Sequence, residues 1–226
     1  MKQFLQILML AVLFSCNKVE ISKTEISAVG KVLEFYGGQI DRSFGFQTKN
    51  VTQYHYFELK ASKSQLLNND LQHLTEHAGN IAYLFYSNLG REQSNYDEIR
   101  VTILLENGES RNYTFPAKDL KEIEKLYPTI EQSNEFIRKG DYQSLAKQFS
   151  TKVGPNENDL RTLFEDIYAK HGNFKQLQIQ GFGFAQDRIS GKYIYVKEAL
   201  VVDKNIGAMY LSYDRETKEL LGISLP

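Results

Sequence analysis

The feature that most restricts the fold is a change of hydrophobic period at Gly172. Before it, apolar residues recur every three or four positions; after it they alternate. Helical spacing appears three times: over 130–137, at Tyr142, Leu145, Ala146 and Phe149, and at Leu160, Leu163, Phe164, Ile167 and Tyr168. Gly140-Asp141 separates the first two runs, with Asp141 placed to cap the second. Asn156 can cap the third, with Asp159 at its third helical position. From Phe174 the period is two, over 174–186, 192–202, 207–213 and 218–225, with turn residues between. Sequential strands joined by short turns make an antiparallel meander, and three helices laid on it make a two-layer α+β body of about 100 residues.

Particular strings within this half carry a resemblance. Glu135-Phe136 through Gly140-Asp141-Tyr142 to Phe149-Ser150, the strand over 191–202, and the close from Asp214 to Gly222-Ile223-Ser224 resemble the NTF2-like, cone-shaped α+β domains. The resemblance covers roughly 129–226. It implies helices over a curved sheet, with a pocket between them, and it transfers architecture rather than chemistry.

The N-terminal half reads as a smaller α+β unit. Ile26, Val29, Leu33 and Tyr36 space a first amphipathic helix, stopped by Gly37-Gly38. Two strands, 42–49 and 54–60, form a hairpin turning near Asn50, with Tyr54, Tyr56 and Glu58 on one face and His55, Phe57 and Leu59 on the other. A longer helix is expected over 69–89, striped by Leu71, Leu74, Ala78, Ile81 and Phe85 and ended by Gly90. Alternation on both sides of Asn107-Gly108 predicts a second hairpin, with a two-residue type I′ turn. Pro116 ends its second strand; Leu120, Ile123 and Leu126 start a helix that Pro128 should interrupt or kink. The expected organisation is a signal peptide over 1–15, a tether over 16–24, an N-terminal α+β domain over 25–127 and an NTF2-like domain over 128–226.

The first 16 residues say where such a chain sits. The apolar run from Phe4 to Phe14 is far shorter than the roughly 20 residues a spanning helix needs. With Lys2 before it and the small Ser15 after it, it has the parts of a secretory signal. Leu13-Phe14-Ser15-Cys16 resembles the bacterial lipobox, which implies a diacylglyceryl group on the Cys16 thiol and cleavage before it. Phe14 departs from the small or aliphatic residue usual at that position. Two or three acyl chains on one residue make release from a bilayer negligible. Cys16 is the only cysteine, so lipidation leaves no thiol for a disulfide, a nucleophile or a soft metal site. Without Lys2, the 27 basic residues fall to 26 against 28 acidic ones, a net charge of −2 that suggests neither nucleic acid nor anionic lipid as an electrostatic partner.

Three groups of residues are candidates for chemistry. His73-Leu74-Thr75-Glu76-His77 has the H-x-x-E-H pattern, with both imidazoles on one helical face as a zinc peptidase would need. Catalytic zinc needs a third protein ligand, and Glu92 and Glu98 lie in or beyond a loop. The preferred reading leaves His73 and His77 facing solvent beside the apolar stripe. Glu198 interrupts the apolar face Ile194, Val196, Leu200 and Val202; it should either line a cavity or reach solvent at a sheet edge or end, the latter being preferred. Tyr193 and Tyr195, on the opposite face, could form an aromatic interaction patch with Tyr210 or Tyr213. The paired glycines of Gly181-Phe182-Gly183-Phe184 suggest a bend or a close packing site.

The functional expectation is a lipid-anchored bacterial envelope protein, at the outer membrane in preference to the inner. It would act as a non-catalytic module binding an envelope protein or a small apolar ligand, without cofactor or nucleic acid. The alternatives are a ligand-binding or hydrolytic enzyme with a pocket around Glu198, and a zinc peptidase using His73, Glu76 and His77.

Overall fold

The computed structural model describes residues 21–150, 154–188, 190–203 and 206–225. The expected signal segment, the lipobox-like string and Cys16 lie outside the described residues. The chain is α+β, with two four-stranded sheets and several helices.

Helix α1 (Lys23–Tyr36) opens on a capping box in which Ser22 and Glu25 satisfy each other's backbone amides, and it ends at Gly37. Its buried side carries Ala28, Val29, Val32 and Tyr36, whereas Ile26, expected on that side, is half exposed. Strands β1 (Gln39–Lys49) and β2 (Thr52–Ser62) form the expected hairpin, turning through Asn50 and Val51, both with positive φ. A short helix α2 (Gln65–Asn69) and a 3₁₀ turn (Leu71–His73) precede α3 (Leu74–Ser87). The helix expected over 69–89 is therefore broken at Asp70. Leu71, expected in the stripe, projects into solvent.

Strand β3 (Glu98–Leu104) returns parallel to β2 and pairs antiparallel with β4 (Ser110–Pro116), completing a sheet in the order β1-β2-β3-β4. The β3–β4 connection differs from the two-residue turn expected. Leu105 pairs with Glu109, the Gly108 amide donates to the Leu105 carbonyl, and only Gly108 has positive φ. A three-residue loop places the glycine where the left-handed backbone is needed, and Asn107 need not adopt it.

Helix α4 (Ala117–Lys139) runs 23 residues straight through Pro128. Proline removes one amide and displaces the carbonyl four residues earlier, here that of Glu124. Pro128 is exposed, so water can solvate that carbonyl, and of the interruption or kink expected there the helix shows no interruption. Gly140, in the left-handed conformation, ends α4; Asp141 caps α5 (Tyr142–Ala146) and the Asn156–Asp159 box caps α6 (Glu157–His171), all as the spacing predicts. Strands β5 (Phe174–Asp187), β6 (Gly191–Val202), β7 (Ile206–Asp214) and β8 (Leu220–Ser224) form the expected antiparallel meander.

Helix α3 lies between the two sheets. One side packs on the first sheet, with Phe85 stacked on Phe57 at 4.3 Å between ring centroids. The other lies on β5, where Gly79 and Gly181 allow close approach. A Cβ on Gly79 would overlap the Phe182 carbonyl, and one on Gly181 would overlap that of Glu76. Buried side chains from both halves form one continuous core, and the proposed boundary at 128 falls inside a helix.

Candidate functional site

The break before α3 sets up a polar seam. Asp70 caps nothing with its side chain; its carboxylate turns to meet two groups. Oδ2 accepts from Lys197 Nζ at 2.5 Å and from His77 Nε2 at 3.0 Å. His77 is buried rather than facing solvent, and its Nδ1 lies 3.3 Å from the Tyr36 hydroxyl. With Nε2 donating to Asp70, Nδ1 is left to accept from Tyr36, which assigns the tautomer. Burial lowers the His77 pKa against the opposing pull of Asp70. Burial also works to raise the Asp70 pKa, but the bonds from Lys197 and His77 outweigh it and leave Asp70 below its ordinary value.

His73 stands at the mouth of this seam, 3.3 Å by Nδ1 from the Tyr210 hydroxyl and 3.8 Å from both Asp70 and Glu76. The H-x-x-E-H pattern therefore folds into hydrogen bonds. Both His77 nitrogens face partners, and among the described residues no group of three or more His, Cys, Asp and Glu side chains is arranged to hold a metal ion. Tyr195 lies over Gly183, whose Cβ would enter its ring, and it interacts with Glu76, Tyr193 and Tyr210, raising its pKa to about 12, chiefly by burial. The tyrosine patch thus forms with Tyr210. Tyr213 points the other way, fully buried, its hydroxyl donating to Ser133 Oγ at 2.9 Å.

Glu198 occupies the opposite face of β6 from Tyr193, Tyr195 and Lys197. It is neither at an edge nor at an end, the reading preferred from sequence. β6 is flanked by β5 and β7, where Glu198 pairs with Ile179 and Met209, and its side chain is fully buried. Asn134 Nδ2 donates to Oε1 at 2.7 Å; Oε2 and Asn134 Oδ1 have no partner. Desolvation, reinforced by the charge of Glu131 and opposed by the Asn134 bond, pushes its pKa up to about 7. Protonation removes the uncompensated charge from this buried carboxyl, which is the physical sense of a raised pKa here. That value suits a general acid or base, yet a carboxyl without exposure meets no substrate in this conformation.

A cleft of about 300 Å³ opens where α1, α3, α4 and β5 meet. Its walls include Phe35, Tyr83, Tyr127 and Phe182, with Asn80 and Glu131 as polar members. Tyr83 stacks on Tyr127 at 5.9 Å and meets Phe182 edge-on at 5.2 Å. Ile179, cross-strand partner of Glu198, is part of the lining. A concave aromatic surface with a few converging polar groups is the usual form of a small-molecule site. A smaller apolar cleft of about 190 Å³ lies between α6 and the β6–β7 end, lined by Ile167, Leu200, Val202 and Leu225 among others.

The chain matches no protein-family model, no curated protein and no solved structure. Its site must therefore be read from its own residues. Of the sequence candidates, the structure gathers Tyr195, His73, Glu76 and His77 into the seam, leaves Tyr193 beside them, and separates Glu198 from all of these. Sequence reasoning missed Asp70, Lys197, Asn134 and the Tyr83–Tyr127 pair. Asn134 carried a readable signal, a polar residue at i+4 between Ile130 and Ile137 on the buried side of α4. Lys197 carried none, because it alternates onto the polar face of its strand, and its partner Asp70 lies 127 residues away in sequence.

Proposed function

We propose that this protein is a bacterial envelope lipoprotein, anchored through an acylated Cys16, whose folded body binds a small apolar ligand without chemically altering it. We read its C-terminal part, roughly 129–226, as an NTF2-like domain; the order of helices followed by a four-stranded meander supports that reading. The anchor is supported by the lipobox string and by the absence of any other cysteine. Among the described residues no helix is long and apolar enough to cross a membrane. The observation that carries the binding role is the aromatic cleft, whose size and lining fit an apolar molecule with one donor group for Glu131.

The test begins with protein extracted from membranes in mild detergent. Intact mass, beside a Cys16→Ala control, reports the lipid; native mass spectrometry reports retained small molecules. The expected result is acyl mass on Cys16 and a non-covalent ligand whose occupancy falls about tenfold in Tyr127→Ala and Tyr83→Ala. Ligand retained unchanged in both variants would remove the cleft from the account, and a stoichiometric protein companion in place of a small molecule would make the body a protein-interaction module.

A further inference from the structure

We infer that the tip of the β1–β2 hairpin is a membrane contact, with Phe46 and Val51 entering the interface of the bilayer that holds Cys16 and Phe44 behind them. The inference rests on the anchoring reading above. Val51 is 98% exposed, Phe46 64% and Phe44 36%, which puts three large apolar side chains on one hairpin. Val51 has φ +69°, a left-handed conformation that costs a non-glycine residue about 1–2 kcal/mol. The two-residue turn demands that conformation of Asn50 and Val51 alike, and it sets a β-branched side chain, poorly suited to it, uncovered in solvent.

The position of the chain's start selects a lipid surface as the occupant. Glu25, in the first turn of α1, bonds the Tyr96 hydroxyl, and the neighbouring Asp97 carboxylate accepts from the His55 amide at 2.8 Å. Parallel β3 begins opposite Tyr56. The first turn of α1 therefore stands level with residues 55 and 56 of β2, and the hairpin runs on past β3 from there to its turn. That overhang, residues 52–55, is about 13 Å long at the strand rise. Ser22 is six steps along the chain from Cys16, a reach of at most about 20 Å. A lipid on Cys16 and the hairpin tip can meet the same surface. The far end of the first sheet, at the β3–β4 loop, points away from it.

Charge agrees with that placement. From Ser43 through Phe57 there is no Asp or Glu, although the chain holds 28. Lys49 and His55 are the only titratable cations in the stretch, so nothing in it repels an anionic leaflet. Aromatic side chains at such a tip sit favourably at headgroup depth.

The chain contains no tryptophan, so one introduced indole reports its own depth. Phe46→Trp and Val51→Trp place it at the tip; Glu106→Trp, also exposed, places it in the β3–β4 loop. Each full-length variant is extracted from membranes, checked for acyl mass on Cys16, and reconstituted into phosphatidylethanolamine–phosphatidylglycerol vesicles with brominated acyl chains. Quenching of about twofold at 46 and 51, with none at 106, is the expected pattern for an interfacial tip. Acylated protein with equal, unquenched emission at all three positions overturns the hairpin contact and leaves the anchor standing. Blue-shifted but unquenched emission at the tip means burial against protein and also overturns it. Extracted protein without acyl mass overturns the anchor and this inference together.

Discussion

At the scale of single residues, Glu198 is the group whose behaviour differs most from its surface counterparts. Its carboxyl sits in the folded protein with a pKa near 7, against an ordinary 4.5. A raised acid binds its proton more tightly in the folded state. Its contribution is then fully present below the unfolded pKa and is lost as pH rises from about 4.5 to about 7. Glu198→Gln keeps the shape and the oxygen that accepts from Asn134 Nδ2 but cannot ionise, so it should remove that dependence. The variant is expected to match wild type near pH 5 and to exceed it at pH 8 by an amount on the order of 3 kcal/mol. Urea unfolding at the two pH values measures this directly, and a wild-type-to-variant difference that does not change with pH would exclude titration of Glu198 in this range.

Among the elements, α3 shows what a buried helix must do with its polar residues. Glu76, His77 and Asn80 lie among its buried positions alongside Ala78, Ile81 and Phe85, because sheets cover the helix on two sides. A helix covered all round needs internal partners for every polar group, and the seam supplies them. Asp70 is the hinge of that arrangement, serving Lys197 and His77 at once. Replacing it with Asn leaves the Lys197 ammonium, only 7% exposed, without a counter-charge. Asp70→Asn should therefore cost about 2–4 kcal/mol, whereas Lys197→Met, which removes the buried cation, should cost clearly less. A double-mutant cycle by chemical denaturation resolves the two, and a double variant whose cost is the sum of the single costs would show that the pair is not coupled.

For the whole molecule, the joint between the halves is a contact of backbones. Gly79 and Gly181 bring α3 against β5 without side chains between them, and the chain's close-packing signal at Gly181-Phe182-Gly183-Phe184 is here realised. Gly181→Ala would push a methyl group into the Glu76 carbonyl, which neither backbone can yield without displacing α3 from the second sheet. The expected cost is about 3 kcal/mol or more, accompanied by altered binding in the aromatic cleft, which α3 and β5 both line. Unfolding followed separately by far-ultraviolet circular dichroism and by tyrosine fluorescence should show the two probes parting in this variant. Coincident transitions at wild-type stability would mean the joint tolerates the methyl group.

Local pattern was enough for both hairpins, the caps at Asp141 and Asn156, and the whole C-terminal meander, because periodicity, turn residues and caps act over a few neighbouring positions. Glu198 was legible as an anomaly on an apolar face, and its depth was not. The tertiary structure decided that β6 is central and that α3 is shared by two sheets. It also placed Asp70, His77 and Lys197 together from positions up to 127 residues apart. Lys197 is buried beside Asp70, 127 residues away in sequence, and Pro128 lies on the side of α4 that neighbouring elements leave open. Neither circumstance can be read from alternation along a strand or from a proline in a helix. Periodicity says which residues share a face, whereas the cover over that face is contributed by distant parts of the chain.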